Sequence, residues 1–143
     1  MSVPALPNVD DPELGAFWEG CRLEELRIPR CDDCGRYVWY PRSRCPGCGR
    51  SRIGWRRVSG RGRLFTWVEV HRAFLPAFAD RIPYLTALVE FEEDPAVRMA
   101  TLLDHRPAAS LRPGLPVEVF FERVSDRVTL PRFRIRAGSG GAT

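Results

Sequence analysis

Residues 31–49 read CDDCGRYVWYPRSRCPGCG, and the cysteine spacing in this stretch decides how the rest of the chain is read. Cys31 and Cys34 form one CxxC pair, Cys45 and Cys48 form a second, and ten residues separate the pairs. Each pair sits in a tight turn that brings two sulfurs together, and the intervening residues suffice for a short excursion out and back. Four thiolates then stand at the corners of a tetrahedron, the arrangement a structural Zn²⁺ requires. Gly35 and Gly49 follow the two pairs, where such turns need positive φ, and Pro46 and Gly47 stiffen and close the second turn. A four-cysteine shell leaves no open coordination position. The expectation is one structural Zn²⁺ on Cys31, Cys34, Cys45 and Cys48, with iron as the alternative the same thiolates would suit.

Other uses of the cysteines fit less well. A disulfide framework would follow a secretory signal, and the start MSVPALPNVDD has no apolar core. A thioredoxin-like redox pair would place one CxxC at the opening of a helix after a strand, not two matched turns. Cys21 lies outside the pairs on an expected helix and reads as a small buried hydrophobe. The chain of 143 residues fits one domain, or a small module plus one compact domain, and 44% apolar residues suffice for a core. No stretch approaches the roughly 20 consecutive apolar residues of a membrane span, so a soluble, cytoplasmic protein with reduced thiols is expected and no membrane partner. The net charge is only +4, and all 22 basic residues are arginine. Absence of lysine is most simply the mark of a GC-rich genome, although an arginine fork does suit phosphate and carboxylate.

The pattern along the chain predicts a mainly β protein. Residues 1–25 form an N-terminal arm and an amphipathic helix from about residue 12: Asp11 and Pro12 read as its N-cap and first position, and Leu14, Phe17, Trp18 and Cys21 recur at helical spacing. Residues 26–52 form the metal ribbon, with strands over 26–29 and 37–40. Residues 53–136 alternate with period two, giving candidate strands over 55–59, 63–71, 84–92, 97–103, 116–123 and 129–135 between turn-forming stretches. Within these, Leu64, Thr66, Val68 and Val70 face away from Phe65, Trp67 and Glu69, and Val117, Val119 and Phe121 from Glu118, Phe120 and Glu122. Five or six short antiparallel strands point to a small barrel of OB type. The tail 137–143, AGSGGAT, is expected to be disordered.

This order of parts resembles the acyl-CoA-associated OB-fold family, in which a rubredoxin-like zinc ribbon precedes the barrel. The resemblance runs from about Phe17 to Arg136 and rests on RCDDCGRYVWYPRSRCPGCG, GRLFTWVEVHR, IPYLTALVEFEE, LRPGLPVEVFFERV and VTLPRFRI in that order. The first piece alone would be a generic ribbon; the later four make the match specific. A fused hydratase or other catalytic domain is absent, so the chain reads as a stand-alone version. The resemblance implies an accessory subunit in a hetero-oligomer with a thiolase-fold enzyme, such as a lipid-transfer-type aldolase or an acyltransferase. It implies a share in acyl-CoA binding, for example in steroid side-chain or fatty-acyl metabolism.

The residues agree that no catalyst is expected. The only histidines are His71, at a strand end, and His105, in an apparent exposed loop, and no GxSxG, Walker or dinucleotide motif occurs. Arg50, Arg52, Arg56, Arg57, Arg61 and Arg63 fall in an acid-free run, with Trp55, Phe65 and Trp67 among or near them. On the plainest reading this is a solvated basic edge, with Trp55 and Trp67 in the barrel core. Should coenzyme A be touched directly, Arg56, Arg57, Arg63 and Arg72 are the candidates for its phosphates and Trp67 and His71 for the thioester arm. The alternative function is single-stranded nucleic-acid binding, which zinc ribbons and OB barrels both perform; the low net charge counts against it. Candidate partner contacts are Phe17 and Trp18 on the helix, and Phe74, Leu75 and Phe78 in the apolar loop FLPAFADRIPY.

Overall fold

The computed structural model describes residues 6–104 and 106–136. In chain order these form helix α1 (Gly15–Arg22) and strands β1 (Leu26–Cys31), β2 (Ile53–Val58), β3 (Arg61–Val70), β4 (Tyr84–Phe91), β5 (Arg98–Leu102), β6 (Pro116–Arg123) and β7 (Thr129–Ile135). Two short 3₁₀ turns, Pro76–Phe78 and Ala108–Ser110, lie in the connections. The mainly β character and the helix–ribbon–barrel order are those expected from the sequence.

β3 to β7 form one five-stranded antiparallel sheet in the order β5-β4-β3-β6-β7. A parallel bridge between Leu103, at the end of β5, and Phe133 of β7 brings the two outer strands together and nearly closes the barrel, the OB arrangement. Alternation fills its interior: Leu85, Ala87, Val89 and Phe91 of β4 point inward to meet Leu64, Met99, Val117 and Phe133. The close approach of β3 to β4 depends on Gly62, where an added Cβ would stand 2.0 Å from the Glu90 carbonyl oxygen.

Four expectations need correction. The helix starts later than residue 12, because the Asp11 carboxylate accepts the Glu13 N–H (2.8 Å) in a local turn and leaves Leu14 as an N-cap without a side-chain bond. It also ends before residue 25. Glu24 sits at φ 59°, the Glu24 N–H bonds the Cys21 carbonyl and the Glu25 N–H bonds the Gly20 carbonyl, a left-handed stop filled by glutamate where glycine is usual. The strand over 37–40 reduces to a single bridge, Tyr37 to Arg30. The strand over 55–59 lies outside the barrel: β2 pairs with β1 from Leu26–Val58 to Cys31–Ile53, so the ribbon recruits it as its own second strand.

The remaining difference is in β3. A bulge between Leu64 and Thr66 inserts one residue, and a one-residue slip exchanges the two faces of a strand. Leu64 is buried, and past the bulge Trp67 packs toward the core, where the plainest reading of the sequence puts it, while Val68 is 59% exposed. Ribbon and barrel are not separate bodies. Phe17, Cys21, Leu26, Ile28 and Val58 belong to the same buried cluster as the barrel interior, with α1 packed against both β1 and β7.

Candidate functional site

The four cysteines meet at the end of the ribbon. Cys31 is the last residue of β1, and the two CxxC turns repeat one backbone pattern. The Cys31 N–H bonds the Arg36 carbonyl (2.8 Å) and the Gly35 N–H the Cys31 carbonyl (2.9 Å); the Cys45 N–H bonds the Arg50 carbonyl and the Gly49 N–H the Cys45 carbonyl, both at 2.8 Å. Gly35 and Gly49 sit at φ 77° and 76°, as the turns require. The sulfurs all lie within 4.8 Å of one another, with Sγ–Sγ distances of 3.6 Å for Cys31–Cys48 and Cys34–Cys45. A tetrahedral metal with bonds of about 2.3 Å needs sulfurs roughly 3.8 Å apart, so the site fits a four-thiolate metal. Cys31 and Cys45 are buried while Cys34 and Cys48 are exposed. The backbone N–H groups of Cys48 and Gly47 point at the Cys45 sulfur and pull its thiol down to about 7, which favours the thiolate a metal binds. Cys21 stands apart, buried in the core, and desolvation pushes its thiol up to about 12.

Outside the metal cluster, the proposed coenzyme A residues do not form one group. Arg56 bonds Asp32 (2.6 Å) and Arg57 approaches Glu25 (3.6 Å), both from β2. Arg63 lies near the start of β3, while His71 and Arg72 follow its end, roughly 30 Å further along at strand rise. His71 pairs with Glu69 at 2.8 Å, Arg72 lies over the Phe74 ring at 5.6 Å, and Trp67 packs against the core. Among the described residues, Arg63 and Arg72 have no carboxylate partner.

The arginine run that contains no acid in sequence does meet acids in space. Arg50 and Arg52 reach Asp33 at 3.6 and 3.4 Å, and Arg56 reaches Asp32. Both aspartates lie inside the first CxxC turn, a signal present in CDDC whose meaning depends on β1 pairing with β2.

Of the expected partner contacts, Phe17 is a core residue, 5% exposed, because it shares the inner face of α1 with Cys21. Trp18 and Trp39, the latter unnoticed in the sequence, line an apolar groove of about 290 Å³ with Leu14, Tyr40 and Leu130. Phe74 and Leu75 are 80% and 52% exposed, whereas Phe78 folds back on Tyr84 with ring centroids 5.4 Å apart. His105 and the tail 137–143 lie outside the described residues.

Known proteins carry the same two parts. The family described as "ChsH2, rubredoxin-like zinc ribbon domain" matches residues 18–54, and "ChsH2, C-terminal OB-fold domain" matches 55–122. A DUF35 domain-containing scaffold protein of Pyrococcus furiosus is 30% identical over 116 residues, covering 80% of this chain and 82% of that protein. The chain belongs to the ChsH2-type DUF35 family. A probable enoyl-CoA hydratase alpha subunit of Thermomonospora curvata is 32% identical over 120 residues, or 83% of this chain, yet the match spans only 36% of that relative's length. A chain of the structure described as "Ltp2-ChsH2(DUF35) aldolase" superposes on this DUF35 protein with a TM-score of 0.79 at 27% identity, over 90% of this chain and 98% of that one. No helix among the described residues is long and apolar enough to cross a membrane.

Proposed function

We propose that this chain is a non-catalytic accessory subunit of an acyl-CoA-processing enzyme, binding a thiolase-fold aldolase or acyltransferase and helping to hold its thioester substrate. The observation that carries the reading is the match over nearly the whole length of a chain from an Ltp2–ChsH2(DUF35) aldolase. The side chains support it. Four cysteines are gathered at the metal site, Cys21 is buried and protonated, and His71 faces Glu69 on the surface. No described cysteine or serine stands beside a described histidine as an activated nucleophile would. Of the coenzyme A candidates, Arg63 and Arg72 keep charges unmatched among the described residues and are left to meet an anionic ligand or carboxylates of the partner. Nucleic-acid binding loses its main support, since Arg50, Arg52, Arg56 and Arg57 face carboxylates of the same chain.

The metal is taken as one structural zinc per chain; elemental analysis of protein purified without chelators measures it, and iron in its place would correct the reading. The function is tested by co-expressing this chain with the thiolase-fold enzyme from the same host. Co-elution in size-exclusion chromatography is expected, with thioester cleavage that depends on this subunit. Separate elution at micromolar concentration, with full activity from the enzyme alone, would overturn the proposal.

A further inference from the structure

β3 is paired on one side along its length and on the other only at its start. It meets β4 from Gly62–Phe91 to Val70–Tyr84. It meets β6 over Arg61–Arg63 alone, extended one step by bonds from the Leu64 N–H to the Leu115 carbonyl and from the Gly114 N–H to the Leu64 carbonyl. Beyond Leu64 no described strand lies on that side.

The direction of each backbone group follows from the ladder. In antiparallel pairing, successive residues address opposite neighbours. The Glu92 N–H bonds the Arg61 carbonyl, while the Leu103 N–H bonds the Leu85 carbonyl on the other side of β4. So Tyr84, Thr86, Leu88 and Glu90 face β3. Their partners past the bulge are Val70, Val68 and Thr66, which leaves the N–H and C=O of Trp67 and Glu69 pointing away from the sheet. Among the described residues nothing bonds these four groups. Apart from the charge of Glu69, the strand carries none of the usual edge guards. FTWVEV is aromatic and β-branched, with no proline or lysine, and the bulge lies before the open stretch, not within it.

A row of outward donors and acceptors at strand spacing is completed by another extended backbone about 4.8 Å away. We infer that the free edge of β3 at Trp67–Glu69 receives an extended segment of the partner enzyme, which joins the barrel as an added strand; the inference rests on the accessory-subunit reading. The side chains describe that segment. An apolar residue would cover Val68, which is exposed, as are Phe74 and Leu75 a few residues further along the chain. Acidic residues would meet Arg63 at one end and Arg72 at the other. Self-pairing of two copies about Val68 would set Trp67 opposite Glu69 and is left to the concentration test below, whereas self-pairing about Trp67 sets Arg63 opposite His71 and crowds Arg61 and Arg63 against Arg72. Like charges placed so are destabilising.

Amide hydrogen exchange, read residue by residue in the free chain and in the co-purified complex with the thiolase-fold enzyme, tests the inference. Thr66, Val68 and Val70 should be protected in both. Trp67 and Glu69 should exchange freely in the free chain and slow by roughly 100-fold in the complex. Glu69→Pro removes one outward N–H at an edge position where proline is tolerated; it should leave the barrel folded by circular dichroism and weaken the complex about tenfold or more. A complex that forms while Trp67 and Glu69 still exchange freely would overturn this inference and leave the accessory-subunit reading standing. Failure of any complex to form would end both. Protection already present in the free chain, whether from its own residues or from a dimer that grows with concentration, would also overturn it.

Discussion

The ribbon and the barrel hold their shapes by different means. The ribbon tip has almost no core of its own, only Cys31, Val38 and Cys45 buried with Ile53 packed against them. Its charged contacts, Asp33 to Arg50 and Arg52 and Asp32 to Arg56, are largely exposed on the arginine side, where such pairs contribute about 1 kcal/mol at most. The barrel has ion pairs of its own on the outside, such as Arg98–Glu90 and Arg134–Glu118, but beneath them it layers Leu64, Val89, Met99, Val117 and Phe133 at nearly full burial. Where too few residues are available for a core, metal–thiolate bonds replace it.

Removing a metal ligand separates the two mechanisms most sharply. Cys34→Ser should release the metal and free the β1–β2 amides to exchange, since structural zinc supplies roughly 10 kcal/mol or more of apparent folding free energy. The barrel should persist with a lower melting temperature. Metal content by mass spectrometry and amide exchange read both halves, and a variant that keeps a full equivalent of metal would break the comparison. Phe133→Ala is the converse experiment. It should cost about 3–5 kcal/mol in denaturant unfolding with metal content unchanged, and metal loss in that variant would show the ribbon to be the barrel's dependent.

A smaller effect sharpens the seam between them. Cys21 lies where the two halves share a core, and its folded-state thiol is raised to about 12 from an ordinary value near 9. Folded protein therefore keeps a proton that unfolded protein gives up between those values. The unfolded state binds fewer protons there, so stability is fully present below about pH 9 and falls as pH rises toward 12. At pH 10 the loss should be roughly 1 kcal/mol. It should vanish in Cys21→Ala when the pH 8 to 10 change in unfolding free energy is compared with wild type.

Much of this was legible in the chain, for stated reasons. Cysteine spacing reports a local geometry, so the metal site could be read before any contact was known. Period-two runs such as YLTALVEF report a two-faced environment, and β4 stands where the strand over 84–92 is expected. What sequence hid was choice of partner. Nothing local in IGWRRV says that it pairs with LRIPRC and not with the strand after it. Nor does GRLFTWVEV announce the extra residue at Phe65 that exchanges Trp67 for Val68 at the core. The carboxylates that meet the arginine run were hidden in the same way, since Asp32 and Asp33 precede Arg50–Arg56 by a whole excursion of chain. Phe17 was misplaced because helical spacing identifies a buried stripe but not whether its cover is the chain itself or another protein.

The pairing of β2 has a bearing on descent. The boundary between the two halves, at residues 54 and 55, falls inside β2, whose ladder belongs to the ribbon and whose last residue, Val58, is buried in the core common to both. A recombination event breaking there would split a strand and strip Leu26 and Ile28 of their cover. A rearrangement that keeps this fold intact would therefore carry ribbon and barrel together, as one cassette.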